Sequence, residues 1–310
     1  SFPDLRHLGL SRNSLTGGLP RNLGNMRYLK KLEASSNKFD QRIPESIGTL
    51  SQLTILDLSN NELTGEIPPK VFDLKEVVTV DLSSNRLWGP ISLKEASLPS
   101  VRKLRLFGNR LAGNIPEAIG KLQHAREVLL DDNSLNGRIP STIGDLGSVI
   151  FLGLSRNYLS GPIPVTIAKN TNLEVLLLSE NALTGPIPPV LFNPHEGPSG
   201  LEVLSLEDNR LSGPIPKGIW RAKSLKSLGL HSNNFKGPIP PRIGEVENLR
   251  VLELGNNQFV GEVPQSMNNL KLLEWLSLQR NSFTGSLQFL CNKKTGGGRN
   301  TGDRNNNNGL

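Results

Sequence analysis

Apolar and polar residues alternate over short segments of this chain, and each segment is followed by Asn and usually by Gly and Pro. The stretch LDLSNNELTGEIP at positions 56–68 shows the pattern, and close copies begin at Leu8 and Leu152. Alternation over a few residues is typical of a β-strand that buries one face. The Gly and Pro that follow favour a turn and an end to strand pairing. The pattern therefore predicts many short strands separated by turns.

The segments recur at a fixed spacing, which indicates a repeat protein. Aligned on the Asn that follows each strand, ten of the eleven intervals are 24 residues and one is 28. The longer interval contains NPHEGPSG at 193–200, which we interpret as an enlarged loop. The aligned residues are Asn13, Asn37, Asn61, Asn85, Asn109, Asn133, Asn157, Asn181, Asn209, Asn233, Asn257 and Asn281.

Each position of the repeat has a physical role. Apolar residues lie 8, 5 and 3 positions before the aligned Asn and 2, 6 and 10 positions after it. One coil alone would leave these side chains in water, whereas stacked coils bury them against each other. An Asn amide both donates and accepts hydrogen bonds, so we expect a ladder of twelve amides that satisfies backbone groups at the strand ends.

A recurring phrase connects these coils with a known family. The chain resembles the plant-type leucine-rich repeat, and the resemblance covers Leu5 to Leu287. It implies a right-handed curved superhelix of twelve coils, with a concave parallel β-sheet, a short second sheet, and 3₁₀ or short helices on the convex side. The hallmark phrase LTGxIP or LSGxIP stands at Leu63–Pro68, Leu159–Pro164, Leu183–Pro188 and Leu211–Pro216.

The ends of the pattern predict the domain organisation. We expect a leucine-rich-repeat domain over 1–291 and a disordered Gly- and Asn-rich tail over 292–310, since the tail has almost no apolar residues. The first repeat begins in mid-pattern, and relatives often carry a cysteine pair in each cap, so we expect that an N-terminal cap is absent. In the fourth repeat SLKEASLPS replaces the usual phrase and is expected to be more helical.

Charge and composition narrow the possible partners. The formal net charge is +7, but the outward positions of the predicted strands carry six cations and ten anions. A net negative sheet does not suit a phosphate backbone, so we expect no nucleic-acid partner. The chain has one cysteine, no Cys/His cluster with metal-ligand spacing and no apolar run long enough for a membrane segment. We expect no cofactor and no metal.

A search for catalytic residues favours a non-enzyme, although a kinase domain in a longer parent chain stays open. The sequence contains no HExxH, GxSxG or GxxxxGK[ST] motif. The best constellation is His231 beside Glu207 on the neighbouring coil, which could be half of a catalytic site. We interpret the two as a surface ion pair, because no nucleophile or oxyanion donor accompanies them.

The predicted ligand-binding residues gather in the middle of the outward strand face. Val and Phe are also ordinary strand residues, so packing alone is an equal alternative. An exposed apolar strip, rimmed by a basic spot at Arg105 and an acidic spot at Asp131 and Asp132, would suggest an interface. The candidate residues are Arg105, Phe107, Leu129, Asp131, Phe151, Tyr158, Val175, Leu177 and Val203.

The resemblance also implies a class of function. Related proteins include ectodomains of plant receptor-like kinases and receptor-like proteins, which recognise peptides, small hormones or proteins, some with a co-receptor, in signalling or defence. The expected location is the extracellular face of the plasma membrane, or secretion. An intracellular or secreted scaffold and an inhibitor of a secreted hydrolase are the alternatives. The absence of an Asn-x-Ser/Thr acceptor mildly favours a cytoplasmic location.

Overall fold

The computed structural model describes residue 2 and residues 4–95 and 97–290, with the side chain of residue 290 excepted. The expected tail, 292–310, lies outside these residues. Twelve three-residue strands, one from each coil, form a single parallel sheet in chain order, here called the long sheet. They are His7–Gly9, Lys31–Glu33, Ile55–Asp57, Thr79–Asp81, Lys103–Arg105, Glu127–Leu129, Phe151–Gly153, Val175–Leu177, Val203–Ser205, Ser227–Gly229, Val251–Glu253 and Trp275–Ser277.

A second set of parallel strands follows the aligned asparagines. The first two strands of this set pair only with each other in a two-stranded sheet, and the remaining ten form the second sheet. The strands are Thr16–Gly17, Lys38–Phe39, Thr64–Gly65, Arg86–Gly89, Arg110–Asn114, Ser134–Arg138, Tyr158–Pro162, Ala182–Gly185, Arg210–Gly213, Asn234–Gly237, Gln258–Glu262 and Ser282–Thr284.

Short 3₁₀ helices complete most coils, and they are the only helices among the described residues. Pro at the residue before many of them fixes an extended backbone and so sets where the helix begins. Together with the two sets of strands, this order confirms the predicted solenoid. The helices are Leu23–Asn25, Glu45–Thr49, Pro69–Asp73, Glu117–Lys121, Ser141–Asp145, Val165–Lys169, Pro189–Phe192, Lys217–Arg221, Ile243–Glu245, Gln265–Asn269 and Gln288–Leu290.

The fourth coil departs from the expectation of a more helical segment. Its described residues between Gly89 and Lys103 form turns instead. The Ser97 N–H donates to the Lys94 carbonyl at 3.1 Å, and the Ser97 hydroxyl accepts the Lys94 N–H at 2.9 Å. Because serine closes the turn on both sides and Leu98 follows with φ of +46°, the chain does not continue as a helix.

The core is a continuous stack of leucines and related residues between the sheets and the helices. The middle residue of each long-sheet strand points inward, and from Leu32 to Leu252 these residues are completely buried. In the first and last coils the equivalent residues, Leu8 and Leu276, are only partly buried. Each buried leucine contributes roughly 1.5–3 kcal/mol, so burial between neighbouring coils supplies most of the stability.

The strand register survives the longer interval between the eighth and ninth coils. Val175 pairs with Val203 and Leu176 with Leu204, although 28 residues separate them. The extra residues form a closed turn in which the Gly197 N–H donates to the Asn193 carbonyl at 2.8 Å. The enlarged loop therefore leaves the face of the long sheet uninterrupted.

The aligned asparagines join neighbouring coils. The Asn157 Oδ1 accepts the N–H of Leu135 in the preceding coil at 3.0 Å. Its Nδ2 donates to the carbonyls of Leu130 in that coil and Leu154 in its own. Equivalent Oδ1 bonds, all 2.9–3.1 Å long, are made by Asn37, Asn61, Asn85, Asn109, Asn133, Asn181, Asn209, Asn233, Asn257 and Asn281.

Candidate functional site

The outward face of the long sheet presents one contiguous apolar row. The first residue of each strand points outward, and the register places Phe151 directly beside Val175 and Val175 directly beside Val203. Phe151 is 41% exposed, and the two valines are half-buried. These three residues, hereafter the apolar row, span three adjacent strands and can contact one partner together.

The two candidate leucines lie beside this row but not beside each other. Leu129 and Leu177 are each the third residue of a strand, and both pair with Gly153 on the strand between them. The glycine leaves a depression between the two half-buried leucine side chains. The apolar surface is therefore continuous along the row and notched next to it.

Asp131 fills this notch. Its Oδ1 accepts the Ser155 N–H at 2.9 Å, and a Cβ at Gly153 would clash with its Oδ2. Burial raises the pKa of Asp131, and hydrogen bonds to backbone N–H groups only partly offset that effect. The acidic spot next to the apolar row thus consists of a half-buried carboxylate and, beside it, the exposed Asp132.

Arg105, the basic spot predicted from the sequence, is paired with two acidic side chains. Its Nε donates to Glu127 Oε2 at 2.9 Å, and its Nη1 lies 3.4 Å from Asp81 Oδ2. Lys103 also pairs with Glu127, at 3.1 Å. Burial alone would raise the pKa of Glu127, but hydrogen bonds from Arg105 and Lys103 lower it below the ordinary value. The positive charge here is balanced within the chain.

Two further candidates stand apart from the apolar row. Tyr158 is 69% exposed but begins the second-sheet strand Tyr158–Pro162, not a long-sheet strand. Phe107 follows the strand Lys103–Arg105, and its side chain is half-buried. The structure therefore brings Phe151, Val175, Val203, Leu129, Leu177 and Asp131 together and leaves Tyr158 on another surface.

A second polar group lies on the same face, and the sequence indicated it only in part. Instead of pairing with Glu207, His231 places its Nε2 3.4 Å from Asp208 Oδ2 and its Nδ1 3.6 Å from Glu253 Oε2. Glu207 is turned toward Gly229 and accepts a hydrogen bond from the Ser205 hydroxyl. Burial is the main cause that raises the pKa of Glu207.

These features define a solenoid repeat protein that presents an open parallel sheet. Seven segments match the Leucine Rich Repeat family, at residues 4–26, 52–74, 100–122, 172–194, 200–222, 224–246 and 248–270. They cover just over half of the chain, which belongs to the leucine-rich-repeat family. A comparison with curated proteins found no match.

Solved structures of plant receptors are similar to the whole solenoid. The plant peptide hormone receptor RGFR1, solved in complex with RGF2, is 34% identical with a TM-score of 0.89, and the match covers 93% of this chain and 46% of that one. The ectodomain of the Arabidopsis receptor kinase HAESA, with an IDA peptide hormone ligand, is 34% identical with a TM-score of 0.82, covering 90% and 46%. This chain thus spans less than half the length of either receptor chain.

A plant ice-binding protein has a similar architecture. It is 26% identical with a TM-score of 0.63, and the match covers 89% of this chain and 81% of that one. The same architecture therefore occurs in proteins with different functions, so function has to be argued from the surface residues. Over the described residues, no helix combines the length and apolar character needed to cross a bilayer.

Proposed function

We propose that this chain is the ligand-recognition part of a cell-surface receptor-like protein and that it binds a peptide across the apolar row. The observation that carries the proposal is the adjacency of Phe151, Val175 and Val203 on three consecutive strands of an open sheet. An extended peptide can lay apolar side chains along such a row while its polar groups face the flanking polar residues.

The surroundings of the row favour a peptide with at least one positive charge. Asp131 and Asp132 border the row on one side, and Glu207 and Asp208 follow the strand that carries Val203. The cations Lys103 and Arg105 are already paired with Glu127. A basic group on the ligand would therefore meet a predominantly acidic surface, and complementary charge increases both specificity and the rate of association.

The similar receptors support an extracellular site of action. RGFR1 and HAESA were solved with peptide hormones, and this chain matches each of them over most of its own length. On this proposal the chain is a non-catalytic recognition module, extracellular at the plasma membrane or secreted, and signalling is carried out by other segments or by a co-receptor.

Selection of peptides on the purified chain tests the proposal. A phage library of random 12-residue peptides is selected against the wild-type chain, and calorimetry measures the affinity of the enriched peptides. We expect the double variant F151S/V175S to bind at least tenfold more weakly, because both substitutions remove apolar contact area at the centre of the row. Circular dichroism confirms that the variant retains its fold.

A matched control variant tests whether the loss of affinity is specific to the apolar row or follows from any apolar substitution on the outward face of the long sheet. Ile55 begins the strand Ile55–Asp57, points to the same face and is half-buried like Val175. The variant I55S should therefore bind like the wild type. The proposal is wrong if F151S/V175S and I55S have the same affinity, or if the library enriches no peptide on the wild type over F151S/V175S.

A further inference from the structure

Glu207, His231 and Glu253 lie on three consecutive coils and face the same side of the long sheet. One ligand-capable atom from each of them lies within 4.8 Å of the other two. We propose that these three side chains form a binding site for one divalent transition-metal ion of the zinc class. The site is separate from the apolar row, and its existence does not depend on peptide binding.

The orientation of the imidazole supports metal binding through Nδ1. The Nε2 of His231 faces Asp208 Oδ2 at 3.4 Å, so the carboxylate favours the tautomer that carries its proton on Nε2. The unprotonated Nδ1 then lies 3.6 Å from Glu253 Oε2. A carboxylate that holds the outer nitrogen of a ligating histidine is the usual support of such a ligand.

The distances suit a small tetrahedral ion. Metal–nitrogen and metal–oxygen bonds of about 2.1 Å place two tetrahedral ligands about 3.4 Å apart. The separation of His231 Nδ1 and Glu253 Oε2 is already close to this value. Glu207 supplies an atom within 4.8 Å of the other two, and a rotation of its side chain can bring it to the same ion.

The absence of a side chain at Gly229 lets the third ligand lie close to the sheet. The Glu207 carboxylate lies over Gly229, where a Cβ would clash with Oε1, and the Ser205 hydroxyl donates to Oε2. Gly255 lies on the next coil at the position equivalent to His231, and a Cβ there would lie 2.7 Å from Gln279 Nε2.

The local charge lacks a balancing cation. Within the part of the chain that the structure describes, Asp208 and Glu253 form ion pairs with His231 alone, and Glu207 forms none. Glu127, on the same face, is balanced by both Lys103 and Arg105. Three carboxylates around one imidazole therefore favour an external cation, since uncompensated charges in partly buried positions are costly.

The donor set selects the kind of ion. Ca²⁺ and Mg²⁺ take oxygen ligands, whereas an imidazole together with carboxylates suits Zn²⁺ and neighbouring first-row ions. Three protein ligands leave a fourth position for water or for a donor from a bound molecule. Glu207 follows the strand Val203–Ser205, so this open position lies near one end of the apolar row.

Calorimetric titration of the untagged full chain with Zn²⁺ tests the assignment. We expect one tight equivalent near neutral pH, undiminished by excess Mg²⁺. The variants His231→Ala and Glu207→Gln should each weaken binding at least tenfold. His7→Ala is the matched control, because among the described residues His7 pairs with one carboxylate, that of Glu33, on the same sheet face. It should leave the affinity unchanged.

A variant that keeps all three ligands distinguishes metal coordination from nonspecific attraction of cations to surface carboxylates. Gly229→Ala retains Glu207, His231 and Glu253 but places a methyl group under the Glu207 carboxylate. Binding should weaken while the circular dichroism spectrum stays the same. The assignment is overturned if His231→Ala binds Zn²⁺ as tightly as His7→Ala, or if the tight equivalent is absent and only weak, Mg²⁺-sensitive binding to surface carboxylates remains.

Discussion

The carboxylate of Asp131 occupies the space that a side chain at Gly153 would fill. The two residues belong to neighbouring coils, and a Cβ at Gly153 would clash with Asp131 Oδ2. The same arrangement recurs at Glu207 and Gly229. In both places a half-buried acid rests on a glycine beside residues that we assign to ligand or metal binding.

The first prediction concerns this contact. Gly153→Ala should lower the free energy of unfolding by roughly 1–3 kcal/mol, because the added methyl group has to displace the carboxylate. The double variant with Asp131→Ala should lose clearly less than the sum of the two single losses, because the obstruction is gone. Urea unfolding of the four chains measures the coupling, and strictly additive losses would contradict the contact.

The second prediction is a pH dependence. Because burial raises the pKa of Asp131, the folded chain binds this proton more tightly than the unfolded chain. The ionised Asp131 carboxylate therefore lowers the free energy of unfolding at pH values above its pKa in the folded chain. This destabilisation disappears as the pH falls below the ordinary carboxyl pKa. Asp131→Asn should raise the Tm at pH 7 and leave it nearly unchanged at about pH 3. An equal shift at both values would refute the cause.

The third prediction compares two members of the amide ladder. Asn157 is buried and bonds to two coils, whereas Asn13 donates only to the carbonyls of Leu10 and Ser11 in its own coil. Asn157→Ala should cost about 2–4 kcal/mol, because it leaves buried backbone groups without partners, and Asn13→Ala below about 1 kcal/mol. Similar losses in urea unfolding would show that bonds between coils contribute little.

The fourth prediction concerns the residue just before each aligned Asn. In every coil this residue has a positive φ, yet only Gly108 is a glycine. Ser84 is exposed and has φ of 54°. Ser84→Gly should be neutral or slightly stabilising, whereas Ser84→Val should cost about 1–2 kcal/mol, since a branched side chain resists this conformation. Thermal unfolding distinguishes the two, and equal Tm values would contradict the backbone argument.

The coil architecture was predictable because every apolar position of the repeat has a neighbour 24 or 28 residues away. Leu56, Leu104 and Leu204 are buried for the same reason, and their burial follows from periodicity alone. The bends near the ends of the second strands were equally predictable, since Gly recurs there; Gly65 and Gly213, for example, have φ of 86° and 84°.

The charge arrangement was not predictable, because it depends on how side chains lean between coils. Alignment placed His231 next to Glu207, but Glu207 turns toward Gly229 and leaves His231 between Asp208 and Glu253. Arg105 likewise has its charge balanced by partners on both neighbouring strands. The positive φ of the residue before each aligned Asn was not predictable either, because serine, arginine and acidic residues occupy this position as well as glycine.

Gln41 stands where eleven other coils have glycine with a positive φ, and the second sheet is interrupted next to it. An isolated bridge, Arg42 to Thr64, crosses the gap, and the Glu62 N–H donates to the Phe39 carbonyl across it at 2.8 Å. In this region the first two coils are thus joined to the third without a pair of second-sheet strands. In a solenoid each coil is stabilised mainly by its nearest neighbours. A junction of this kind allows the first two coils to unfold locally while the remaining coils, and the binding surface that they carry, stay folded.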